Sequence, residues 1–200
     1  MEAALENQKN YSFNRTLITS SGTSNMSHYI SLGCVSFEQL MNYYKNLKKT
    51  QFHRQLGWIL YCKLKHQQVQ NWGLPSLKSE QAESIKNFID GTLPDGKVST
   101  WINNQSKRLL SGQILSNRTR LMMSAYFIRD LNLSWKWGQT IWRLILKDGH
   151  PLVNAYNWRA QSKNRFLRNY NLIRQIEVHD KVPIKQLNFK KTSETDLNKI

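Results

Sequence analysis

Apolar and polar residues alternate along most of this chain with the period of a helix. Phe37, Leu40, Met41, Tyr44 and Leu47 recur at steps of three and four, behind Ser36, a residue type that caps helix N-termini. Phe52, Leu56, Ile59, Leu60 and Cys62 form a second stripe. Residues 71–79 (NWGLPSLKS) break the pattern and read as a loop. Glu80 to Ile89 resume it as a short helix closed by Asp90-Gly91. A turn cluster, TLPDGK, occupies 92–97. The spacing then predicts helices over Trp101–Leu115, Arg118–Leu131, Trp135–Lys147 behind Ser134, and Leu152 to about Gln161. Period-two alternation is nearly absent and no segment repeats, so the expected fold class is all-α, a compact multi-helix domain.

Composition adds a core and a charge. Hydrophobic residues make up 40% of the 200, with 7 Trp, 8 Tyr and 7 Phe, which suits one globular domain rather than a disordered chain. The first ten residues and residues 181–200 are polar and are expected to be a loose N-terminus and a solvated tail, leaving 11–180 as the domain. The net charge is +16. Between 101 and 175, thirteen Lys or Arg face only Asp130 and Asp148, a local balance of +11. Such a field attracts polyanions, and nucleic acid is the commonest of them; a generally basic surface is the plainer alternative.

Cys34 and Cys62 are too few and too far apart for a disulfide framework or a zinc site, so no metal is expected and the thiols fit a reducing compartment. The opening MEAALENQKN carries no apolar run of the secretory type, and no stretch approaches a membrane span. The expected location is cytoplasmic, at the nucleoid if the source is bacterial, with no membrane partner.

The chemistry concentrates between 117 and 158. Asn117-Arg118-x-Arg120 opens an apolar helix; Trp135-x-Trp137-Gly138, Asp148-Gly149, Asn154 and Trp158 follow. Arg120 and Asp148 can pair at the base of a cavity. Asn154 and Trp158 fall one helical turn apart and share a face. An ion pair, an amide and an indole around one pocket suit a flat, redox-active ring.

This segment resembles the FAD-binding core of the DNA photolyase/cryptochrome family. The resemblance runs over about 11–180. It begins with Tyr11-x-x-x-Arg15, Thr23-Ser24-Asn25-Met26-Ser27-His28-Tyr29 and Gly33-x-x-Ser36, where the family holds the flavin diphosphate on hydroxyls and backbone N–H groups, in the manner of an anion at a helix N-terminus. Taken alone, that hydroxyl cluster is a helix cap. It returns after a shortened Gly-rich loop as Phe166-x-Arg168-x-Tyr170-Asn171 and Gln175-x-Glu177. The α/β antenna domain that usually precedes this region is expected to be missing. The chain is then either a stand-alone module or one served by a separate antenna-like protein.

The resemblance implies FAD as cofactor, held by Tyr11, Thr23, Ser24, Met26, Ser27, Phe52, Gln55, Asn117, Arg120, Asp148, His150 and Asn154. It implies that Asn154 lies by the flavin N5, that Trp158 is the first electron donor to light-excited flavin, and that Trp135 is the second. The third Trp of that relay falls near Lys78, with Trp72 close by. DNA is the implied partner, contacted by Arg15, Trp58, Arg118 and Arg168, with Lys107, Arg108, Arg159, Lys163 and Arg165 extending the patch.

The pattern also departs from the family. Phe52 and Ile114 replace Trp, Gln55 replaces a Glu that hydrogen-bonds the damaged base, and Ile59 replaces an Arg that helps anchor phosphate. His150 stands where the family has an Asp near the flavin N1. A cationic His150 would favour an anionic reduced flavin; an imidazole can equally fill space. The resemblance thus implies a DNA-associated flavoprotein doing light-driven electron transfer or, as a deoxyribodipyrimidine photolyase-like lyase, pyrimidine-dimer repair. The substitutions at Gln55, Ile59 and His150 leave that enzymatic activity open. The alternative is a flavin-free helical DNA-binding or regulatory module on the same scaffold.

Overall fold

Loop chemistry and apolar stripes together decide where the helices start and stop. The computed structural model describes residues 26–44, 51–66, 73–163 and 171–179. The expected loose N-terminus (1–10) and polar tail (181–200) lie outside them. Among the described residues there are helices and no strands, as the absence of period-two patterning predicts.

Helices α1 (Ser27–Ser31) and α2 (Phe37–Tyr44) are joined by a turn in which Gly33 takes φ +75°. Ser36 caps α2 reciprocally. Its Oγ accepts from Gln39 N–H at 3.0 Å, and Gln39 Oε1 accepts from Ser36 N–H at 2.8 Å. Helix α3 (Gln51–His66) carries Leu56 and Cys62 inward, and Met26, Leu40 and Leu56 form a small core of their own.

Helix α4 (Ser79–Asp90) ends at Gly91, whose φ is +68° and whose missing Cβ leaves room for the Asn103 carbonyl oxygen. Asn103 then ties down the following turn. Its Oδ1 accepts from Leu93 N–H and its Nδ2 donates to Leu93 O, both at 3.0 Å. The next helix, α5 (Lys97–Leu110), begins four residues earlier than the periodicity predicts and stops five earlier. Ser99 explains the early start by donating to Pro94 O at 2.6 Å and stabilising the entry. At the other end Gly112, at φ +76°, terminates the helix.

Helix α6 (Asn117–Ala125) is capped by Ser116, whose Oγ accepts from Thr119 N–H at 3.2 Å. The predicted continuation to Leu131 exists but loosens into a π turn over Tyr126–Asp130. Helix α7 (Trp135–Ile145) starts at the predicted Ser134 cap and gives out two residues before Lys147. Helices α8 (Pro151–Lys163) and α9 (Leu172–His179) complete the described chain.

The main core gathers Phe88, Trp101, Ile102, Leu115, Met122, Met123, Phe127, Trp142 and Trp158. Helix α8 is its hub, packing against α7, α3 and α6. Asn154, Ala155, Tyr156 and Trp158 are buried on it in near succession. A helix enclosed on several sides has no single apolar stripe, so its pattern is less regular than that of its neighbours.

Candidate functional site

A cavity of about 110 Å³ opens where α1, α3, α6, α7 and α8 meet. Ser27, Asn117, Arg120, Asp148, His150, Asn154 and Trp158, all expected site residues, line it together. They are brought together by short local devices. Ser116 fixes the start of α6, which places Asn117 and Arg120 on its first turn. Gly149 lets the Asp148 turn fold back beneath α7: a Cβ there would stand 2.8 Å from Arg143 O. His150 O then accepts from Asn154 N–H at 2.9 Å, opening α8 at the right phase to turn Asn154 inward.

At the base, Arg120 Nη2 donates to Asp148 Oδ2 at 3.0 Å and sits 2.9 Å from Oδ1, while Arg120 Nε donates to Leu115 O at 3.0 Å. The Asp148 side chain is 7% exposed and that of Arg120 is 20%. The pair is therefore largely out of water, and removing one partner would strand the other's charge. Asn154 Nδ2 donates to Gln139 O at 2.6 Å, tying α8 to α7. Trp158 is the largest of the fully buried side chains: its ring lies on the backbone of Gly138, where any Cβ would overlap it, and it meets Phe127 and Trp142 edge to face.

Several polar atoms on this wall are left over. Trp142 Nε1 and Trp158 Nε1 are buried with no acceptor, and Asp148 Oδ1 takes no aligned hydrogen bond, among the described residues. Buried polar groups are ordinarily satisfied, so two unmet indole donors beside a cavity with an ion pair at its base fit a ligand with polar edges and a flat apolar body. That is the chemistry of a flavin, and the residues present fit one.

The remaining expected residues are distributed differently. Met26 packs with Leu40 and Leu56 and does not line the cavity. Gln55 and Ile114 are half-buried and outside the cavity lining, whereas Ile59 is part of it. Trp135 lines a second pocket of about 370 Å³ with Trp137, Pro75 and Leu77. Trp58 is half-buried and donates Nε1–H to Asn157 Oδ1 at 3.0 Å while stacking on Tyr61. Arg118 donates to Gln175 at 3.5 Å, the outer limit of a hydrogen bond. Phe52 lies in α3. Tyr11, Arg15, Thr23, Ser24, Trp72, Arg165 and Arg168 lie outside the described residues.

The sequence reading missed Trp142, Asn157 and Gln161 in the cavity wall. A signal existed for the last two: 154, 157, 158 and 161 follow the i, i+3, i+4, i+7 spacing of one helix face. Behind that face burial pushes the Cys62 thiol up to about 11 and raises the Tyr156 hydroxyl, the latter against the opposing pull of Arg159. Among the described residues no cluster of His, Cys, Asp or Glu could hold a metal, and no helix is long and apolar enough to cross a membrane.

Comparison with known proteins points the same way. Residues 100–183 match the family described as the FAD binding domain of DNA photolyase. The chain is 21% identical over 163 residues to the deoxyribodipyrimidine photo-lyase of Alkalihalophilus pseudofirmus, covering 74% of this chain and 33% of that protein. It is 22% identical over 178 residues to cryptochrome DASH of Vibrio parahaemolyticus, covering 79% and 39%. It thus spans between a third and two fifths of these relatives. Among solved structures, a class III photolyase from Agrobacterium tumefaciens superposes with TM-score 0.70 at 22% identity, over 90% of this chain and 42% of that one. A cryptochrome from Synechocystis does so with TM-score 0.70 at 19% identity, over 90% and 43%.

Proposed function

Because the chain belongs to the photolyase/cryptochrome family through its FAD-binding domain, we propose that it is a DNA-associated flavoprotein that carries out light-driven electron transfer. FAD is the cofactor of this domain. It supplies the light-absorbing ring and its one-electron redox chemistry.

The protein's own residues do the rest. Arg120 and Asp148 form a charged floor that would orient a ring edge. Asn154, its nitrogen committed to Gln139 O, offers its oxygen as an acceptor. Ile59, Leu121, Leu146 and Val153 line the same cavity and exclude water. Trp158, at 1% exposure, is a dry indole in the cavity wall and the electron donor. The observation that carries this reading is the convergence of Asn117, Arg120, Asp148, His150, Asn154 and Trp158 on one cavity.

DNA association rests on charge. Lys107, Arg143, Lys147, Lys163 and Arg174 are exposed, and Arg suits phosphate because its planar fork binds two oxygens at once.

Ile59 favours a second reading. It places hydrocarbon in the cavity wall where the resemblance has an arginine, which suits a helical DNA-binding module without a flavin. One experiment separates the two: purify the protein, incubate it with FAD, remove free ligand by gel filtration and record the visible absorbance. Co-eluting flavin supports the flavoprotein. DNA binding with no flavin uptake overturns it in favour of the second reading.

A further inference from the structure

Trp142 stands in the same cavity wall as Trp158. The two rings meet edge to face, with centroids 4.9 Å apart and planes at 78°. They are 3% and 1% exposed. Each indole N–H is buried without an acceptor among the described residues. Trp135, in contrast, lines another pocket.

We propose that Trp142 is a second electron donor to the cavity, so that Trp158 and Trp142 act as a pair and neither is indispensable alone. This rests on the flavoprotein reading and adds a residue to it.

Contact between the rings and their burial together favour the pair. An indole in van der Waals contact with a second indole exchanges an electron with it far faster than one separated by intervening side chains. Since both rings border the cavity, either can give one electron to a light-excited ring bound there. The donor becomes an indole radical cation and the electron is held by the acceptor, so charge and electrons balance. The missing electron is shared between the two touching rings, and the charge returns unless it is drawn off elsewhere. Edge-to-face contact favours the sharing, because the ring that faces the other's positive edge presents its electron-rich face.

The test uses FAD-loaded protein in four forms: wild type, W142F, W158F and the double variant. Phe keeps an aromatic ring in each position, and circular dichroism with FAD uptake checks that fold and binding survive. Flavin fluorescence lifetime is read as the measure of electron transfer. W158F is expected to remain quenched, and the lifetime to lengthen severalfold only in the double variant. A W158F lifetime equal to that of the double variant overturns the role of Trp142. A second measurement guards against variants that lose FAD: transient absorption of W158F must still show an indole radical that disappears in the double variant, and its absence from W158F overturns the pair. Wild-type protein that takes up no FAD defeats the flavoprotein reading itself, an outcome distinguishable from the others before any light is used.

Discussion

The ring of Trp158 on α8 rests on the bare backbone of Gly138 on α7, and no side chain larger than hydrogen fits between them. Ala in place of Gly138 gains about 1 kcal/mol in helix propensity. Against that, forcing a methyl into a packed contact costs about 1–3 kcal/mol. The second effect wins. G138A is expected to lower the unfolding free energy and to shift Trp158 fluorescence. Denaturant unfolding followed by tryptophan emission checks both, and a more stable variant would contradict the contact.

Asp148 and Arg120 should behave as one unit. D148N leaves the guanidinium without its counter-charge in a mostly dry site. The expected loss is about 1–3 kcal/mol, below the ~3–5 of a wholly enclosed pair because Arg120 retains some access to water. FAD uptake should fall by at least tenfold as the floor loses its orientation. A double variant, R120L/D148L, should recover part of the stability and none of the uptake; equal uptake in wild type and double variant would remove the pair from the site.

Cys62 gives a pH signature. Its thiol in the folded protein is held up at about 11, against 9.0 when unperturbed, because burial disfavours the thiolate. Below pH 9 both states carry the proton and the group contributes no pH dependence. From pH 9 toward 11 the unfolded chain releases the proton and the folded one keeps it, so stability falls as pH rises. C62A should flatten that part of the curve in thermal melts at stepped pH. A thiol reagent at pH 8 should label the exposed Cys34 and spare Cys62 until the protein unfolds.

Salt dependence tests the DNA surface. Each phosphate neutralised adds about 0.9 to the log–log slope of affinity on duplex DNA. Arg118→Ala should reduce that slope by about 1 and weaken binding uniformly across sequences. K107A, on an exposed part of α5, tests how far the contact surface extends. Fluorescence anisotropy at several salt concentrations reads both, and an unchanged slope removes the residue from the interface.

What could be read from the chain followed from local rules. Ser36 and Ser134 cap helices because a hydroxyl at that position meets an unsatisfied N–H, and that rule needs no tertiary context. The cavity residues on α6 and α8 were legible as motif spacing within a family resemblance. The misplaced ends of α5 were not, since Ser99 reaches back to Pro94 only once the turn has formed. Trp142 escaped for a related reason. Its spacing marks an ordinary core aromatic, and only the crossing of α7 over α8 turns it toward Trp158. The π turn at Tyr126–Asp130 likewise has no Pro or Gly to announce it.

The bond from Trp58 on α3 to Asn157 on α8 has a mechanical meaning. Asn157 sits between Asn154 and Trp158 along the same rod, so holding its amide stops the rod from rolling about its long axis. Anything that pulled Trp58 out of place would release that latch, and the orientation of both neighbours would change together.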